Sequence, residues 1–260
     1  MRDFPHPVVL QQISSDQPRI WVWFLLLIVP NWLPRLVNQA LMLWPSFVQI
    51  SANHHASYFL IFFVVQTSLT CGAILFLSRN YASALWFPSP PSRGFNSLLI
   101  LAPLLFFHLS SWLSIMPIMA LSSMAKSQEL TQAVAAMHHD IWSQLAYGAS
   151  LTGVVCESLS SFVSPVLEEM LFSGLLANRL TKSFGFAVAI LGTPLFFALI
   201  HVVQFGIGTH LIALFFAGFT YTVIRFRSGS LWTAVFSHLA INFVIFVPKW
   251  AVAIMHFSQP

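Results

Sequence analysis

Glu168 and Glu169 stand side by side in a run of residues apolar enough to cross a membrane, in a chain of 260 residues with only seven Asp and Glu. A carboxylate in hydrocarbon is costly unless it is protonated, paired or set in a water-filled cavity, so an acid pair at that depth marks a functional site with partners to be found. The candidate partners are His201, His238 and Asn242, each on a later apolar segment. Adjacent helical residues diverge by about 100°. Only one of the two carboxylates can therefore aim straight at a given point, which leaves the other a supporting role. His201 follows Phe197 by four residues and His238 precedes Asn242 by four, so each pair shares one helix face. Three helices can thus present a carboxylate, two imidazoles and a carboxamide to one cavity.

Such a set has two chemical uses. A carboxylate acting as general base takes a proton from water while imidazole and carboxamide donors stabilise the oxyanion of a peptide's tetrahedral intermediate. Alternatively, Glu168, His201 and His238 hold a divalent metal such as zinc, which makes its bound water acidic. The chain has no HExxH, the compact zinc-protease motif, so metal ligands would come from three separate helices. The glutamate-base reading, which needs no cofactor, is preferred.

These side chains must be held by elements that tolerate lipid. With 57% hydrophobic and 7% charged residues, against about a quarter charged in a soluble domain, the composition predicts an all-α polytopic transmembrane helix bundle. Apolar windows fall near 20–44, 58–78, 97–121, 146–178, 186–203, 209–224 and 230–247, about seven spans with a range of six to eight. The window 146–178 is too long for one straight span, and Pro165 predicts a kink or break just before the acid pair. At ~1.5 Å per residue from the nearest cytoplasmic end of each helix, Glu168 lies about 16 Å in, His238 and Asn242 about 14 and 20 Å, and His201 about 24 Å. A tilt or a break at Gly192 and Pro194 is needed to bring His201 level with the rest.

The chain divides into a polar N-terminal segment (1–19), N-terminal membrane helices (20–121), a polar loop or interfacial helix (122–145), a helical core bearing the motifs (146–247) and a C-terminal tail (248–260). Residues 80–96, with Pro88, Pro90, Pro91 and Gly94, read as a linker. Nothing resembles a cleavable signal peptide, so the first span is expected to persist. Arg79 with Arg93, Arg179 with Lys182, and Arg225 with Arg227 mark alternate loops as cytoplasmic, which places the N-terminus inside. The short N-terminus and compact length suit a bacterial cytoplasmic membrane.

The net charge of +4 forms no basic and aromatic stripe, so the expected partners are the lipid bilayer and a membrane-associated peptide or protein, with no nucleic acid. Cys71 and Cys156 lack metal or CxxC spacing and read as buried free thiols. His54, His55, His138 and His139, with Asp140, fall in expected loops, and His108 reads as a core hydrogen-bonding residue. Trp21, Trp23, Trp32 and Trp44 suit an interfacial aromatic belt.

The motifs resemble the CPBP intramembrane proteases, also called the CAAX protease and bacteriocin-processing or Abi family. That family has EExxxR on one helix, FxxxH on a later one, and His followed four residues on by Asn or Asp near the C-terminus. Here the matches are Glu168-Glu169, Phe197 to His201, and His238 to Asn242; the run from Gly218 to Asn242, with Arg225 and Trp232, resembles the family's closing helix pair. The resemblance covers roughly 150–247 and implies an intramembrane endopeptidase. In it Glu168 activates water with help from His201, His238 and Asn242 stabilise the oxyanion, and Glu169 holds the electrostatics of the site. Lipidated proteins, signal peptides or bacteriocin-like peptides are the substrates it implies.

Ser173 stands where the family has arginine, four residues after Glu169. Serine donates one hydrogen bond but carries no charge. Glu169 is then protonated, served by another cation, or part of a catalytically impaired member that acts as a membrane scaffold or regulator. A proton-coupled transporter would use the same buried ionisable residues, although the sequence has no inverted repeat to support one.

Overall fold

The computed structural model describes residues 19–41, 43–46, 55–78, 151–205, 207 and 210–257. The expected span 97–121, the linker 80–96, the polar segment 122–145, His54, His108, His138, His139, Arg79 and Arg93 lie outside the described residues. The architecture is the expected all-α helical membrane bundle. Its elements are α1 (Ile20–Leu41), α2 (His55–Ser78) and α3 (Leu151–Glu169), then a π-helical segment (Met170–Leu176), then α4 (Ala177–Phe184), α5 (Phe186–Ile200), α6 (Val202–Phe205), α7 (His210–Ser228) and α8 (Leu231–Phe257).

Three helical stretches, Leu60–Ser78, Ser158–Phe184 and Leu211–Ser228, are long and apolar enough to cross a membrane, and Phe186–Ile200 and Leu231–Phe243 are shorter apolar helices. Leu60, Ile61, Val64 and Leu75 on α2 face outward. Lipid is as apolar as these side chains, so such a face needs no further cover in a bilayer.

The irregularity expected before the acid pair occurs after it. α3 runs through Pro165 to Glu169. The chain then widens into the π segment, where the N–H of Ala177 reaches back five residues to the Phe172 carbonyl. All seven residues of that segment are buried, and Leu171, Phe172, Leu175 and Leu176 belong to the main hydrophobic core. π-helical turns are rare and frequently lie at functional sites.

α4 ends at Gly185, whose φ of 87° is open to glycine at little cost and whose N–H bonds the Thr181 carbonyl at 3.0 Å. The chain therefore reverses at once into α5. Of the tilt or break expected to bring His201 level, no break occurs: α5 passes through Pro194 and stops at His201, which occupies its C-terminal cap. α7 and α8 are joined through Gly229, with φ 67°. Arg225 and Arg227 form the last turn of α7 rather than a loop, and Arg225 is buried. α8 continues past 247 to Phe257. Trp23 is a core residue rather than part of an aromatic belt, with the Arg179 guanidinium 6.0 Å from its ring centroid.

α3 packs against α2 and α8, α5 against α4 and α7, and α1 against α2, so the π segment lies in the middle of the bundle. Small residues at the contacts, among them Ala177, Ala189, Ala217 and Ala234, are buried and let the backbones approach.

Candidate active site

The acid pair splits as adjacent helical residues must. The Glu169 side chain is 1% exposed and the Glu168 side chain 19%. Both oxygens of Glu169 are occupied: Ser173 Oγ donates to Oε2 at 2.5 Å, and His238 Nδ1 donates to Oε1 at 2.9 Å. A carboxylate only accepts, so both donors must supply the hydrogen. Hydrogen bonds to an ionised acceptor are the strong kind. Ser173, from the same helix, and His238, from α8, thus fill both oxygens of Glu169.

That bond also fixes His238. With Nδ1 committed to Glu169, Nε2 points on toward Glu168, 4.0 Å from its Oε2. Tyr221 of α7 stacks on the imidazole, with centroids 4.6 Å apart and planes 15° apart. Phe197 of α5 meets it edge-on at 5.9 Å. Ring contacts of these two kinds are the favoured aromatic geometries and hold the imidazole plane. Tyr221 was not singled out by its sequence position; a lone tyrosine within an apolar helix was the available signal.

His201 is 8% exposed and therefore faces protein rather than lipid. Its Nδ1 donates to the Phe197 carbonyl at 2.7 Å, which leaves the lone pair of the neutral ring on Nε2. The Phe197 ring lies 4.8 Å from the His201 ring as well, so one phenyl group spaces the two imidazoles. Gly218 makes room for it: a β-carbon there would come within 3.0 Å of Phe197 Cδ1.

Asn242 has a defined structural duty. Proline at 165 has no N–H, so the carbonyl four residues earlier, that of Ser161, loses its helical donor. Asn242 Nδ2 donates to that carbonyl at 3.1 Å. A neighbouring helix thereby satisfies a backbone group that proline has freed within the membrane. The contact of Asn242 with Ser161 and that of His238 with the acid pair tie α3 to an antiparallel α8.

On its other side Glu168 borders a cavity between α1, α2, α3 and the π segment, lined also by Asn31, Gln66, Thr67, Thr70 and Ser164. Its volume is about 20 Å³; on that measure one water needs ~10–15 Å³. Gln66 donates to Asn31 Oδ1 at 3.4 Å, and Asn31 donates to the Leu27 carbonyl at 2.9 Å. Glu168 thus has a polar wall that comes from helices outside the motif-bearing half. Among the described residues no three His, Cys, Asp or Glu side chains are grouped to hold a metal ion.

Residues 149–244 match the family described as Type II CAAX prenyl endopeptidase Rce1-like. The chain is also 30% identical over 84 residues to a curated protein of Bacillus subtilis (strain 168) named "Putative membrane peptidase YdiL", a match that covers 32% of this chain and 33% of that protein. The chain thus spans about a third of the length of the curated relative it matches. No solved structure matches. The family match falls on the back half of the chain, over the segment that carries the motifs.

Proposed function

We propose that the protein is an intramembrane endopeptidase that hydrolyses a peptide bond of a membrane-associated protein or peptide, with Glu168 as general base. The observation that carries this reading is the sorting of the two carboxylates: Glu169 has both oxygens filled by donors, whereas Glu168 borders a polar cavity large enough for water. A base must be within reach of the proton it takes. Glu168 removes a proton from a water in the cavity as the water oxygen attacks the scissile carbonyl carbon. The resulting oxyanion is met by the Nε2–H of His238, which acts here as an imidazolium with its Nδ1–H kept on Glu169, and by the second Asn242 N–H. When the C–N bond breaks, the proton held by Glu168 passes to the leaving amine. His201, with its lone pair on Nε2, assists in positioning the water. Glu169 keeps the His238 ring oriented, as the third member of a catalytic triad orients its histidine.

The matched family name points to a substrate cleaved near a lipidated cysteine. The test is cleavage by the full chain in liposomes of two membrane-anchored peptides, one carrying a lipidated cysteine near its carboxyl end and one without it. Glu168→Gln is expected to lower the rate on the cleaved peptide by about 10²-fold or more, the usual contribution of a general base. An unchanged rate removes Glu168 from the role.

A further inference from the structure

The acid pair needs positive charge, and the helix that bears it supplies none nearby: after Glu169 no basic residue occurs before Arg179. Ser173 and the Nδ1 side of His238 are both spent on Glu169. For Glu168 the one cationic or imidazole nitrogen within 4.0 Å among the described residues is the more distant Nε2 of His238.

α1 runs past the other side of Glu168. Asn31 on α1 lines the Glu168 cavity, and Arg35 lies four residues further on, on the same helix face. Nη1 of Arg35 is buried with no hydrogen-bond partner among the described residues. A guanidinium inside a membrane bundle is costly and is kept where it faces a pathway or an opposite charge. The Arg35 guanidinium and the Glu168 carboxylate interact electrostatically. The other groups facing Glu168 are His238 from α8, its neighbour Glu169, and from α2 the uncharged Gln66, Thr67 and Thr70.

We infer that Arg35 of α1 is a positioning residue for Glu168, supplying across the cavity the positive charge that the motif helix lacks at Ser173. This rests on the peptidase reading only for its catalytic consequence; the pairing of the two residues stands apart from it. The guanidinium favours the ionised form of Glu168, the form a general base requires, alongside the contribution of His238. It also gives the N-terminal helices, which lie outside the matched segment 149–244, a part in the site.

A double-mutant cycle on the full chain in detergent tests the pairing without any substrate. Arg35→Gln is expected to lower the Tm by about 3 °C or more while Glu168 is present. In a Glu168→Gln background the same change is expected to cost less than about 1 °C. Arg35→Lys, which keeps the charge, is expected to restore at least half of the Tm lost in Arg35→Gln. An Arg35→Gln loss equal in both backgrounds, or no loss in either, overturns the inference. In liposomes, Arg35→Gln is expected to lower kcat about 10-fold with KM within about twofold, and Arg35→Lys to recover most of it; a change confined to KM overturns the positioning role. Coupling in Tm without cleavage by the unaltered protein would leave the pairing intact and sink the peptidase reading instead. Cleavage without coupling would do the reverse.

Discussion

The two sides of the acid pair are built differently. Toward the core, Glu169 meets a closed set of partners, Ser173 on its own helix and His238 clamped by Tyr221 and Phe197. Toward α1 and α2, Glu168 meets a small polar cavity with Asn31, Gln66 and Thr70 on its walls. The difference shows how neighbouring carboxylates in one apolar helix come to lie in different surroundings. Full satisfaction makes one a fixed anchor, and incomplete satisfaction beside space for water leaves the other chemically available.

Breaking each side should give opposite signatures. Glu168→Gln is expected to lose about 10²-fold or more in cleavage with only the modest loss of stability that its pairing with Arg35 implies, whereas Glu169→Ala should unfold the core side, at a cost of about 3–5 kcal/mol from stranding a buried partner. Chemical denaturation in detergent measures the second, and equal stability for the two variants would erase the contrast. Phe197→Ala removes the ring that spaces His201 from His238 and leaves a cavity, with an expected loss of about 3–5 kcal/mol.

Gly218→Ala sharpens the same point from the outside. Its β-carbon would press on Phe197 from 3.0 Å, and overpacking of this kind costs about 1–3 kcal/mol. If that strain turns the His238 ring, cleavage falls along with the Tm; a lower Tm with unchanged cleavage would detach the aromatic clamp from function. The smallest effect on stability is expected at Asn242. Asn242→Ala should cost about 0.6 kcal/mol, typical of an interhelical hydrogen bond in a membrane bundle. Pro165→Ala returns an N–H to the Ser161 carbonyl, so it should reduce the Asn242→Ala loss in a double-mutant cycle. An Asn242→Ala loss unchanged by Pro165→Ala would mean that the asparagine is not there for the freed carbonyl.

Much of this arrangement was legible in the residues. The all-α membrane bundle followed from hydropathy, and the separation of Glu168 from Glu169 followed from helical periodicity. The pairing of Phe197 with His201 on one face was likewise a matter of local spacing, and the structure places the two rings 4.8 Å apart. The position of the irregularity was not legible: Pro165 predicted a break before the pair, but Asn242 relieves the carbonyl that Pro165 frees, and the helix widens at Met170–Leu176 instead. Nor did the front half announce any share in the cavity beside Glu168, because Asn31 and Gln66 carry no motif.

By itself the sequence determined that two acids would lie in lipid-depth helix, that they would point about 100° apart, and that serine could not replace the charge of an arginine. Those are properties of composition and of one helix, and they need no neighbours. Which acid is enclosed and which is left beside the cavity was decided only when α1, α2, α7 and α8 packed around α3. So was the choice of His238 as the partner of Glu169, across 69 residues of chain. The rotation of each helix about its own axis sets these contacts, and that rotation is fixed by side-chain packing among segments far apart in the chain.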